Sequence, residues 1–264
     1  MALVEGRSSP CDPADSASSR PIASGAVSTR TGGAGIPTSS APEPSSTIAA
    51  FVLTWITAAL ASSLVVVVGQ NPDDDTSIPM LAASLLAGWT VFLTGTWLAS
   101  RRLGTGDVRA DFALTARPFD LLGVPIGVAT QLLLVPVLYL PLRAVWPDVF
   151  DDDALTETAN DLIDRADGGL IVALFLLVVV GAPFVEEVVY RGLLQRPLLD
   201  RLPAVPVVVG VAALFAVIHF RPVEYPGLFV AGLVFGICAW RTGRIGMAVT
   251  AHIAFNATGL GLAL

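Results

Sequence analysis

The stretch that decides the fold runs from Gly168 to Leu194: GGLIVALFLLVVVGAPFVEEVVYRGLL. From Gly168 to Val185 it carries no charge, and then Glu186 and Glu187 stand side by side with Arg191 four residues further on. An uncharged apolar run of about 18 residues or more reads as a helix able to cross a bilayer core. Carboxylates that close such a run are costly in lipid, by about 2.5–3.5 kcal/mol each on insertion scales, and persist where they face a bundle interior or a wet cavity. One segment thus announces a membrane helix and a reason to look for chemistry inside it.

Working outward, the same texture recurs. Thr47–Gly69 and Ile78–Ser100 are uncharged, and Leu121–Leu142 carries Pro125, Pro136 and Pro141, which membrane helices tolerate as kinks. Val205–Phe220, Gly227–Trp240 and Ile245–Leu264 follow the quoted run, the first two of them short for a full span. The expected fold is all-α, a polytopic transmembrane helix bundle of about seven helices (six to eight). Residues 1–46, rich in Ser, Pro, Ala, Gly and Thr, are expected to form a disordered polar tail. The transmembrane domain is expected over 47–264, with three N-terminal helices in 47–145 and the chemical core in 168–264.

Composition agrees: 54% hydrophobic and 14% charged residues with a mean hydropathy of +0.72. A net charge of −7, with Arg as the only strongly basic residue, gives no footprint for nucleic acid. Two cysteines, Cys11 and Cys238, exclude a disulfide framework. Arginines collect in alternate connections: Arg101, Arg102, Arg109 and Arg117; Arg191, Arg196 and Arg201; Arg241 and Arg244. The other connections hold Arg143, Arg165 and Arg221 beside the acidic clusters Asp73–Asp75 and Asp151–Asp153, the latter expected to be a solvated loop. Positively charged loops resist translocation. This bias predicts a cytoplasmic N-terminus, and the expected setting is a bacterial cell membrane.

Both histidines, His219 and His252, also fall in apolar segments. Spacing of four puts Glu187 with Arg191, Phe215 with His219, and His252 with Asn256 on common helix faces. Glu186 projects about 100° away from Glu187, over Tyr190. One carboxylate is then free to pair with the guanidinium while its neighbour faces something else. Each motif also has a plainer reading: an interfacial charge cluster, a snorkelling histidine, an interhelical hydrogen bond. All three being incidental within 71 residues is a poor account, and a shared site is the better one. One condition attaches to it. If the fourth helix stopped at Arg191, His219 would lie about 21 Å away along the bundle, so that helix must continue to about Leu199.

The ordered trio Glu186-Glu187-Val188-Val189-Tyr190-Arg191 (EExxxR), Phe215 to His219 (FxxxH) and His252 to Asn256 (HxxxN) resembles the CPBP family of intramembrane endopeptidases. That family comprises CAAX prenyl proteases of the Ras-converting type and bacteriocin-processing or Abi-type proteins. The resemblance covers about residues 168–264. It implies that Glu186 activates water together with His219, that His252 and Asn256 stabilise the oxyanion, and that Glu187 and Arg191 fix the charge state of Glu186. Tyr190 and Phe215 would support them, and no metal would be required. The family is also described as metalloproteases. Glu186, His219 and His252 then stand as the alternative zinc ligands, although no HExxH spacing is present. The implied partners are the lipid bilayer and a membrane-tethered peptide or protein, with no nucleic acid. A proton- or ion-coupled membrane protein, and an idle immunity or anchoring factor, are the alternatives outside proteolysis.

Overall fold

The computed structural model describes residues 42–69, 76–166 and 168–263, which form an all-α bundle. Its main helices are α1 (Pro44–Gly69), α2 (Ile78–Leu103), α3 (Pro118–Val145), α4 (Asp152–Asp164), α5 (Leu170–Leu199), α6 (Ala204–Val217), α7 (Tyr225–Thr242) and α8 (Gly246–Ala263). All seven apolar segments are helical. Five of them, α1, α2, α3, α5 and the stretch Pro222–Thr242 that contains α7, are long and apolar enough to cross a membrane. At 14 residues, α6 is shorter than a crossing needs.

Several expected boundaries move. Helix α1 starts at Pro44, inside the expected tail, because proline suits the first helical turn, where its missing N–H has no partner to lose. The rest of that tail and the Asp73–Asp75 cluster lie outside the described residues. Asp152 and Asp153 belong to a helix rather than a loop, since Leu155, Leu162 and Ile163 recur on one face of α4. Helix α6 stops at Val217, not Phe220. His219 and Phe220 follow it in a turn, with Phe220 in the left-handed region at φ 54°.

Prolines shape the long helices in a regular way. The wider π turns Thr130–Leu134, Leu176–Gly181 and Val188–Gln195 each end two residues before Pro136, Pro183 or Pro197. In each, the residue before the proline donates five residues back: Val135 to Thr130, Ala182 to Leu177, Arg196 to Arg191. A proline ring clashes with the carbonyl four residues back, and widening the turn relieves that contact.

Small residues set the approach of neighbouring helices. A Cβ on Gly127 would collide with the Ala251 carbonyl, so α3 lies directly against the backbone of α8. A Cβ on Gly232 would meet Ala212 Cα of α6 at 3.2 Å. Close packing of this kind replaces the hydrophobic drive that lipid cannot supply. Both ends are tied by polar contacts. At one end Arg244 grips Asp120 with two bonds, Nε to Oδ2 at 2.9 Å and Nη2 to Oδ1 at 2.6 Å, and Arg201 reaches Glu43 at 3.2 Å. At the other, the Tyr139 hydroxyl donates to the Val223 carbonyl and accepts from Gly227 N–H, while Arg221 pairs with Glu157 of α4.

Candidate active site

Helix α5 does continue to Leu199, which leaves Glu186 about 20 Å from that end, in the middle of the bundle. The two adjacent carboxylates part company there. Glu187 is fully buried; its Oε1 accepts from Arg191 Nη1 and from His252 Nδ1, both at 2.9 Å. Glu186 keeps 27% of its side chain exposed and points Oε2 at His252 Nε2, 3.8 Å away. Spacing alone set Glu187 with Arg191; the helix turn of about 100° sent Glu186 toward the open side.

The imidazoles are held in defined states by what they touch. His219 Nδ1 lies 2.6 Å from the Phe215 carbonyl. A carbonyl only accepts, so Nδ1 carries the proton and Nε2 is the basic nitrogen of the neutral ring. By the same logic, the carboxylate at His252 Nδ1 directs the other nitrogen of that ring toward Glu186. Phe215 touches both histidines, with ring centroids 4.8 Å from His219 and 5.7 Å from His252. One aromatic ring contacts the two bases. Phe235 stacks on the other side of His252 at 4.5 Å and 21°, and Tyr190 packs edge-on to Phe215.

Arg191 is the hub of the buried side. It is 1% exposed, donates Nη2 to the Gly232 carbonyl at 2.9 Å, and lies over Phe215 and Phe235 at 5.0 and 5.6 Å. Aromatic faces stabilise a cation in this position. Asn256 also faces α5, and its Nδ2 donates to the Val178 carbonyl at 2.9 Å. Pro183 explains why that carbonyl is available. The residue five positions on has no N–H, and the Ala182 N–H goes to Leu177 instead. A proline-induced π turn therefore supplies the anchor for an amide from another helix.

Glu186, Glu187, Arg191, His252 and their aromatic supports are thus brought together, with His219 against Phe215 and Asn256 one turn along α8. Three contributors escaped sequence reading. Phe235 carried no signal among so many apolar residues. Gln195 did: it lies four residues after Arg191 and repeats its bond one turn on, Nε2 to the Gly236 carbonyl at 2.9 Å. Asp120, which by its place just before the apolar run Leu121–Leu142 reads as a boundary charge, is 1% exposed and accepts two hydrogen bonds from Arg244. Among the described residues no group of three His, Cys, Asp or Glu side chains converges as a metal site would require. Glu186, His219 and His252 do not converge closely enough to fit a zinc triad as they stand.

With this geometry in place, comparison with known families is informative. Residues 168–258 match the model of the type II CAAX prenyl endopeptidase Rce1-like family. The segment, about a third of the chain, is similar to that family. The Rce1-like match begins just before α5 and ends within α8, so it spans all three motifs, while α1 to α4 precede it. Five crossing helices and an Rce1-like segment make this an integral membrane protein. No curated protein and no solved structure matches the chain.

Proposed function

We propose that the protein is an intramembrane endopeptidase that hydrolyses a peptide bond of a membrane-associated substrate with water activated by Glu186. The observation that carries this reading is the Glu186 carboxylate, 27% exposed and facing His252 Nε2 across 3.8 Å, beside a buried Glu187 whose Oε1 is held by Arg191 and His252. Such a separation is too long for a direct hydrogen bond and suits a water held between the two groups. The water oxygen attacks the scissile carbonyl carbon as its proton passes to Glu186. His219 Nε2 is the second base near the same space. His252 Nε2, its ring held by Glu187 at Nδ1, accepts the water's other hydrogen, and the free N–H of Asn256 donates to the oxyanion. As the C–N bond breaks, the proton on Glu186 moves to the leaving amine.

The Rce1-like family suggests a prenylated CAAX-type C-terminal peptide as substrate, and the half-buried position of Glu186 among helices favours a chain already at the membrane. The proposed chemistry uses no metal. Purified protein in proteoliposomes, given a membrane-tethered peptide, tests it directly. Glu186→Gln should lower kcat at least about a hundredfold, the lower range for general acid–base catalysis. Retained turnover in that variant, or chelator-abolished turnover in the parent that zinc restores, would overturn the mechanism.

A further inference from the structure

Besides Glu187, whose Oε2 is also without a partner, two buried groups on α5 have polar atoms that the proposed reaction does not use. Arg191 and Gln195 are each 1% exposed. Arg191 spends its two terminal nitrogens on Glu187 and Gly232, and its Nε–H has no partner. Gln195 donates Nε2 to the Gly236 carbonyl, and its Oε1 has no partner. The amide cannot be turned over, because the Gly236 carbonyl requires a donor; Oε1 is committed to the other side. One group therefore offers a proton and the other a lone pair. An unsatisfied buried donor or acceptor keeps its full desolvation penalty, and two on adjacent turns of one helix call for a common partner.

A recess supplies the space. Arg191 and Gln195 both line it, with Arg196 and Arg244 at its polar edge and Phe112 and Ile245 among its apolar walls. Its free volume is about 10 Å³, near the lower limit for one water molecule. It is half open and lies at the end of the bundle where the arginines collect, so solvent can enter from there. The arginine side chains at its edge are already paired, Arg244 with Asp120 and Arg196 with Asp200. A neutral occupant fits better than an anion.

We propose that this recess is a bound-water site. Its water accepts from Arg191 Nε and donates to Gln195 Oε1. It heads a polar column that runs Gln195, water, Arg191, Glu187, His252 and reaches Glu186. In this arrangement Gln195 is a positioning residue: it touches no reacting atom, but through the water it fixes the guanidinium that holds Glu187 and, beyond it, the His252 ring. This last role rests on the peptidase reading, whereas the water site itself does not.

A density map of the parent protein at a resolution that shows ordered water tests the site without any assay. A water within hydrogen-bonding distance of both Arg191 Nε and Gln195 Oε1 is expected. A dry recess in a map that shows other internal waters, or a bound anion there, overturns the site. Kinetics then test the positioning role. Gln195→Leu should lower kcat about tenfold with KM changed less than about twofold. A Leu variant that folds and turns over like the parent removes the positioning role. A rise in KM that matches the fall in kcat points to packing alone and does the same. If Glu186→Gln leaves turnover intact, the peptidase reading fails while the water observation stands.

Discussion

Glu186 and Glu187 are neighbours in sequence with opposite surroundings, and substitutions should separate them. Glu187→Gln leaves the buried Arg191 guanidinium without its counter-charge. Breaking a buried pair from one side costs about 3–5 kcal/mol, so thermal unfolding in detergent should move down by several degrees and activity should fall with it. Among the described residues Glu186 makes no hydrogen bond, and Glu186→Gln loses only the 3.8 Å approach to His252. Its unfolding temperature should stay with the parent's while turnover is lost. Equal stability losses in the two variants would show that the carboxylates are interchangeable structural charges. Outside the spanning helices, Asp111 offers a pH-dependent contact of known sign. Burial pushes its carboxyl up, but hydrogen bonds from the Ser100 hydroxyl and from Thr105 outweigh that and hold it below the usual carboxylate range. A depressed folded value stabilises above the unfolded pKa of about 3.9 and is lost as pH falls through the folded one. Acid should therefore loosen the turn after α2 only as pH falls below the usual carboxylate range, read by hydrogen exchange at the amides of residues 105–112, and Asp111→Asn should flatten that response.

At the scale of elements, the proline rule makes a claim about α5. Pro183→Ala restores an N–H and removes the ring clash that favours the π turn, so Leu176–Gly181 can return to regular helix. Val178 then gains a backbone donor and competes with Asn256 for it. Cleavage should fall about as far as in Asn256→Ala, on the order of a hundredfold if Asn256 is an oxyanion donor. A Pro183→Ala variant with parental turnover would mean the π turn does not position Asn256. This also shows where sequence reading reached its limit. Apolar length identifies each spanning helix, and spacing of four identifies the Glu187–Arg191 contact, because both depend on one segment alone. The π turns are local too, but a proline inside a helix can either kink it or widen the turn before it, and the residues alone do not choose between the two. The amphipathic α4 was hidden because its acidic residues outweigh the few apolar ones on its inner face. Asp120 looked like a boundary charge until Arg244, far along the chain, closed on it. Most of what one helix dictates was legible; what a second helix must answer was not.

For the whole molecule, the arginine bias makes a claim about orientation that the bundle sharpens. Arg117, Arg196, Arg201 and Arg244 belong to one end, joined there by the Asp120–Arg244 and Glu43–Arg201 pairs and by the recess that Arg196 and Arg244 share. Arg143, Arg165 and Arg221 belong to the other, where Arg165 bonds the Thr76 carbonyl and Arg221 meets Glu157. The start of α1 lies at the arginine-rich end through Glu43. If positively charged connections stay on the side of synthesis, the residues before α1 are cytoplasmic, and so is the water-lined recess. The chain carries its own reporter for this. Of its two cysteines, Cys238 is buried in α7, and Cys11 lies in the polar stretch before α1. A membrane-impermeant maleimide should leave the protein unlabelled in intact cells and label Cys11 in inside-out vesicles, with Cys11→Ser abolishing the signal. Labelling from outside in intact cells would invert the topology, place the arginine-rich end against the positive-inside rule, and require solvent to reach the recess from the opposite face.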